Sequence, residues 1–167
     1  MYRKMEKSLI LCRNYAIVDA NGENRETIHM AFRADRTKET GEVEEMNIEE
    51  CYHRLGGDYS QVLLRLPSGS MVKKFIIKFL DDGSFAGLCQ AMSQGDRATA
   101  FREAHTLKGV CANLGFEQLR QSASELTETL RPETAEIPSN AEAQLEQVRL
   151  DYQHTVDTIR DFLASGE

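Results

Sequence analysis

The sequence predicts an all-α protein, an antiparallel up-and-down four-helix bundle with short extra helices on its N-terminal side. Apolar residues recur at helical spacing from Asn47 to the end of the 167-residue chain. The chain has no Trp and only three Pro, and runs of β-branched residues are few. Glycines, prolines and short polar side chains separate the periodic segments, as expected where helices end and begin.

The composition argues against several classes of protein. The net charge is −7, so binding to nucleic-acid phosphates is not expected. No stretch approaches the roughly 20 apolar residues that span a bilayer, and we expect a soluble, cytoplasmic protein that does not bind membranes. The cysteines form no CxxC pair, so neither a metal site nor another cofactor is expected; they are Cys12, Cys51, Cys89 and Cys111.

Local signals place the helices in order along the chain. Asn47 and Asp58 favour the N-cap position, so a short helix is predicted after each of them. Ser70 and Asp96 are predicted to cap longer helices, and Gly115 is predicted to end the helix that Asp96 begins. The longer helices are predicted over residues 70–80, 84–93, 97–114, 117–130 and 140–164.

Helical periodicity assigns the buried faces of these helices. The helix over 70–80 is expected to bury Met71, Val72, Phe75, Ile76, Phe79 and Leu80. The helix over 117–130 is expected to bury Phe116, Leu119, Ala123, Leu126 and Leu130, and the last helix Leu145, Val148, Tyr152, Val156, Ile159 and Leu163. These two helices, with those over 70–80 and 97–114, are predicted to form the bundle, while the helix over 84–93 forms a hairpin with the central helix.

The central helix over 97–114 carries an unusual exposed face. At 100° per residue, one side of this helix is apolar and is predicted to be buried; it comprises Ala100, Ala104, Leu107, Cys111 and Leu114. His105 falls on the opposite side, where its neighbours on the helical wheel are Ala98, Gly109 and Ala112. Exposed helix positions normally carry Lys, Glu or Gln, and an interior glycine costs roughly 1 kcal/mol relative to alanine. This bare surface would let a bulky group approach the imidazole.

Two cations flank the histidine on the same helix. Lys108 and Arg102 lie three residues after and three residues before His105. A neutral imidazole is a competent nucleophile near neutral pH, and a phosphoryl group on its nitrogen would carry negative charge that Lys108 could stabilise. A single histidine on a helix is more often an ordinary surface residue, so the hypothesis depends on the combination with Lys108 and Gly109.

The stretch Ala104-His105-Thr106-Leu107-Lys108-Gly109, followed by Asn113-Leu114-Gly115, resembles the signature of the HPt (histidine-containing phosphotransfer) family. The resemblance covers about residues 46–164. It implies a four-helix bundle without an ATP site, phosphorylated on His105, with Lys108 stabilising the phosphate and Gly109 giving clearance. Family members often place a Gln on the following helix to bond the imidazole, and the matching position here is Thr127, a shorter side chain. Ser124, or Thr127 through a water molecule, could substitute for that contact.

The resemblance also implies the partners. Receiver domains of hybrid histidine kinases and response regulators would donate the phosphoryl group to His105 and accept it again. Contacts with them are expected from Ala98, Phe101, Arg102, Ala112, Gly115 and Thr127. A monomer would suffice for this role. The alternatives are a binding module that sequesters a receiver without transfer, and a phosphatase that uses His105 as a base.

The chain is predicted to divide into an N-terminal extension over residues 1–45 and a bundle domain over residues 46–167. Ala16–Ile28 weakly resembles the first strand and helix of a receiver domain, with Asp19 in the place of one acidic residue. We favour an irregular extension over a degenerate receiver fragment, because one strand and one helix cannot close a core.

Overall fold

A computed structural model of the protein describes residues 46–131 and 136–165. Within these residues it contains seven helices and no strand: α1 (Ile48–Arg54), α2 (Tyr59–Leu63), α3 (Gly69–Phe79), α4 (Ser84–Gln94), α5 (Arg97–Leu114), α6 (Glu117–Leu130) and α7 (Ala141–Ser165). The prediction of an all-α helical bundle is confirmed. The predictions for residues 1–45 lie outside the described residues, and the domain boundary after residue 45 stays a prediction.

The helix N-termini follow from short polar side chains, with one correction. Asn47 accepts a hydrogen bond from the Glu50 amide at 2.8 Å, and Asp96 caps α5 by accepting from the Thr99 amide at 3.0 Å. The predicted cap Ser70 is wrong, because Ser68 caps α3 by accepting from the Met71 amide at 3.2 Å. Ser68 has an extended backbone, φ −147°, which aims its hydroxyl at the helix, whereas Ser70 already lies inside the first turn.

The bundle is formed by α4, α5, α6 and α7, and each of these helices packs against the one that follows it in the chain. The prediction that the helix at 70–80 provides the fourth member was therefore wrong, since α4 holds that position and α3 makes a smaller contact with α5. On α3 the buried residues are Val72, Ile76 and Phe79, whereas Met71 and Phe75 are each 40% exposed. Because α3 packs against the bundle over a small area, it buries three of the six predicted residues.

The buried faces of the later helices are confirmed almost completely. All five apolar residues predicted for the core side of α5 are buried, as are all five predicted for α6 and its cap. On α7 the predicted residues are buried except Leu163, which is half-buried, and Phe162 is buried beside it. The sequence periodicity therefore placed these helices at the correct rotation about their axes.

An aromatic cluster joins the N-terminal helices to one end of the bundle. The ring centroids of Phe79 and Phe116 are 5.0 Å apart, and those of Tyr52 and Phe116 are 6.3 Å apart. Phe79 also lies 5.7 Å from Tyr152 on α7. Because Phe116 directly follows the C-terminal end of α5, helices α1 and α3 cover that end of the bundle.

The N-terminal and C-terminal ends of the described chain lie next to each other, with α1 against α7. On α7 the ring Nε2 of His154 lies 3.0 Å from the carbonyl oxygen of Arg54 in α1. The Ser165 hydroxyl donates a hydrogen bond of 3.2 Å to the Met46 carbonyl. Helix α1 is thus held along the C-terminal half of α7.

A buried arginine fixes the other end of the bundle. The guanidinium of Arg97, in the first turn of α5, donates to the carbonyls of Leu130 at 3.1 Å, Thr129 at 3.2 Å and Arg131 at 2.6 Å, at the end of α6. It also donates to the Glu136 carbonyl at 2.7 Å. The last carbonyls of a helix have no intrahelical partner, so this side chain satisfies them and holds the end of α6 beside the start of α5.

The described residues contain neither a membrane-spanning helix nor a cluster of metal-binding side chains. None of their helices combines the length and apolar character that a membrane span requires. No group of three or more His, Cys, Asp or Glu side chains in this part of the chain is arranged to hold a metal ion.

Candidate functional site

The histidine at position 105 lies near the middle of α5 on the solvent side. Ala104 and Leu107 beside it face the core and are fully buried, while His105 itself is exposed. The 18-residue helix is fixed at both ends, by the Asp96 cap and by Gly115 in the left-handed conformation. A rigid helix therefore presents the imidazole to solvent.

An aromatic ring supports the imidazole from one side. Phe101, one turn before His105, stacks its ring at a centroid distance of 6.1 Å and an interplanar angle of 30°. The guanidinium carbon of Arg131, just after α6, lies 6.0 Å from the centroid of the Phe101 ring. Phe101 is thus a shared neighbour of the imidazole and of a cation from the end of α6.

Helix α6 places the carboxylate of Glu128 beside Lys108 and Arg131. Glu128 on α6 lies 3.9 Å from Lys108, measured from its Oε1 to the lysine Nζ. It also accepts hydrogen bonds from Arg131 Nη2 at 2.7 and 3.0 Å. The bond with Arg131 is the main cause that holds the pKa of Glu128 below its usual range, and the charges of Lys108 and His105 lower it further. Glu128 is therefore ionised at neutral pH and links the two cations near the imidazole.

The surface around the imidazole is open. A Cβ added at Gly109 would have no atom within 4 Å beyond its chain neighbours and the backbone of its own helix, among the described residues. Ala98 and Ala112, two turns before and after His105, are exposed. Nothing in the described packing of the bundle thus requires a glycine at 109, so its lack of a side chain leaves room for an incoming group.

Thr127 directs its hydroxyl to the backbone of its own helix. Thr127 is buried, and its hydroxyl donates to the Ala123 carbonyl of its own helix at 2.6 Å. This bond uses the only hydrogen of the hydroxyl. The hydroxyl hydrogen of Thr127 is therefore bonded within α6 rather than to the imidazole.

Two other residues that we expected to contact a partner, Gly115 and Arg102, interact with neighbouring residues of this chain. Gly115 has φ +74°, and a Cβ there would lie 2.5 Å from Cγ2 of Val62. It also lies ten residues from His105, about 15 Å along the helix. Arg102 is exposed and donates from Nη2 to the Thr99 hydroxyl at 2.9 Å, toward the start of α5. The structure therefore groups Phe101, Lys108 and Gly109 with His105, but not Gly115.

Sequence reasoning missed Glu128 and Arg131. Both belong to the end of α6, and their i,i+3 spacing looks like an ordinary surface ion pair. A signal was nonetheless present, since α5 and α6 were expected to pack as neighbours in antiparallel order. That arrangement sets the last turn of α6 beside the first half of α5, where His105 lies.

The fold and the site together define a helical bundle module that exposes a histidine between a cation and an open surface. The model of the Hpt domain family matches residues 77–161, just over half of the chain. The protein belongs to the Hpt domain family, whose members act as phosphoryl carriers in two-component phosphorelays and interact with receiver domains. No curated protein and no solved structure matches the chain.

Proposed function

We propose that the protein accepts a phosphoryl group on His105 from an aspartate of one receiver domain and donates it to an aspartate of another. The observation that carries this proposal is the exposed imidazole of His105, with Lys108 on the same helix and bare surface at Gly109. A receiver active site must approach the ring closely, and only small side chains allow this.

The transfer conserves the phosphoryl group. The lone pair of the unprotonated ring nitrogen of His105 attacks the phosphorus of the aspartyl phosphate. The bond between phosphorus and the aspartate oxygen breaks, and its electron pair leaves with the carboxylate. The second ring nitrogen keeps its proton. Donation to the next receiver is the reverse of these events with a different carboxylate.

Lys108 would stabilise the transferred group electrostatically. Its ammonium lies 3.9 Å from Oε1 of Glu128 on α6, and Lys108 follows His105 by three residues, so the two side chains are neighbours on the surface of α5. A cation held near the reacting oxygens stabilises the charge of the transferring group.

Phosphorylation of the full-length chain with a small donor tests the proposal. With phosphoramidate as donor, wild-type protein should gain acid-labile, base-stable phosphate, and His105→Gln should gain none. His154→Gln is the matched control, because His154 is also an exposed helical histidine but lies on α7, bonded to the Arg54 carbonyl. Label that persists in His105→Gln, or wild-type protein that takes no label from either phosphoramidate or receiver domains, would refute the proposal.

Receiver domains then separate a carrier from a binding module. The carrier should transfer label from His105 to an unphosphorylated receiver and regenerate the free histidine. Binding of a receiver that is equally tight in wild type and His105→Gln, without any movement of label, would instead support sequestration.

A further inference from the structure

Resting on the proposed function, we propose that Glu128 is a positioning residue that makes the phosphoryl group on His105 easier to give away. It would do this by competing with the phosphoryl group for Lys108 and Arg131, and by placing a negative charge beside it. The phosphorylated protein would then be a stronger donor than the histidine and lysine alone would make it.

The geometry supports competition for the same two cations. Glu128 contacts Lys108 at 3.9 Å and Arg131 at 2.7 Å, and Arg131 also lies over the ring of Phe101 that stacks on His105. The carboxylate thus has both cations as neighbours before any phosphate is present. A phosphoryl group on the imidazole would have to draw them from Glu128 or share them with it.

The local charges decide the direction of the effect. A phosphoryl group carries nearly two negative charges at neutral pH. Glu128 remains ionised there, because the neighbouring guanidinium holds its pKa below the usual range. Two like-charged groups on adjacent helices repel each other, so the phosphorylated state should be less stable than it would be beside a neutral side chain.

The expected size is modest because the site faces solvent. Taking roughly 6–8 Å as the scale for side chains on adjacent helices, one charge beside a doubly charged group, in a water-like dielectric with physiological salt, changes an equilibrium about two- to threefold. Release of Lys108 and Arg131 from Glu128 acts in the same direction. The effect should shrink as the salt concentration rises.

The test uses the exchange of phosphoryl groups with a small donor. In a buffered mixture of phosphoramidate and ammonia, the P–N bond of phosphoramidate breaks as the bond to His105 forms, and ammonia leaves. The phosphorylated fraction of the full chain, measured by phosphorus NMR, then reports the relative stability of the phosphohistidine without a receiver. Glu128→Gln should raise the ratio of phosphorylated to free protein at least about twofold over wild type, and Glu128→Asp, which keeps the charge, should stay near wild type.

The chain offers a matched control on the same helix. Glu117 forms the same kind of i,i+3 pair with Arg120, eleven residues before Glu128, about 16 Å away along α6. Glu117→Gln removes the same charge and should leave the phosphorylated fraction at the wild-type value, with circular dichroism confirming that both variants are folded.

The outcomes separate this inference from the proposed function. If wild type is labelled but Glu128→Gln gives the wild-type or a lower ratio, Glu128 does not favour donation and the inference is wrong while the carrier function stands. An equal rise in Glu117→Gln would also overturn it, since the effect would then reflect net charge alone. If wild type takes no label at all, both proposals fall.

Discussion

Replacing Arg97 with methionine should destabilise the bundle by about 2–4 kcal/mol. The guanidinium is buried and, among the described residues, donates to four carbonyls at 2.6–3.2 Å. Three of these bonds are only partly buried, so water can replace the arginine there at a small cost. The bond to the Leu130 carbonyl is fully buried, and its loss leaves an acceptor without a partner. Methionine fills much of the same volume, so the cavity contribution should be small.

Urea unfolding followed by circular dichroism at 222 nm would measure this change. For a domain of this size the loss corresponds to a melting temperature lower by about 5–15 °C. Arg160→Met is the control, because Arg160 is an exposed arginine on α7, and its change should stay within about 0.5 kcal/mol of wild type. Should Arg97→Met prove as stable as that control, the hydrogen bonds at the end of α6 would contribute no net stability and the reasoning would be refuted.

The remaining predictions concern two glycines and two thiols. Gly109→Ala should raise the free energy of unfolding by about 0.5–1 kcal/mol, since the added methyl has open space around it. Gly109→Gln should slow phosphorylation by a receiver at least about tenfold. Normal transfer rates in Gly109→Gln would contradict the clearance role. Gly115→Ala should lower the free energy of unfolding by about 2–3 kcal/mol, because φ is +74° and the new Cβ would lie 2.5 Å from Cγ2 of Val62. Urea unfolding measures this change, and an unchanged midpoint of the urea transition would show that the helix end relaxes to accept the methyl group. Burial raises the pKa of the Cys51 thiol to about 12, and also raises that of Cys111, so the reactive thiolate is scarce in the folded protein at pH 8. Both should resist iodoacetamide until urea unfolds the chain, as peptide mapping by mass spectrometry would reveal, and rapid labelling of native protein would contradict their burial.

The parts of the fold that the sequence predicted are those that local interactions decide. Asp96 bonds an amide three residues away, and Gly115 adopts a left-handed conformation, so both ends of α5 could be predicted from a few neighbouring residues. The burial of α3 could not, because it depends on which neighbour covers the helix. Phe75 has the spacing of a core residue, yet it is 40% exposed, because α3 lies outside the bundle and makes only a small contact with α5.

The candidate site divides in the same way. His105, Lys108 and Gly109 lie within five consecutive residues of one helix, so their relation follows from helical geometry alone. Glu128 and Arg131 come from the next helix, and their approach depends on how α5 and α6 align along each other. The bonding of Thr127 within its own helix was likewise invisible in the sequence, because a buried hydroxyl has several acceptors within reach.

The contact between Met46 and Ser165 has a consequence for how the bundle can be rebuilt. Residues 119 positions apart lie within one hydrogen bond of each other, at 3.2 Å. A linker of a few residues could therefore join these two positions, and new termini could be opened at the exposed turn before Gly83, between α3 and α4. Such a circular permutant would keep α5 and α6 continuous, so the connectivity of the chain could be altered while the histidine and its neighbours stay on unbroken helices.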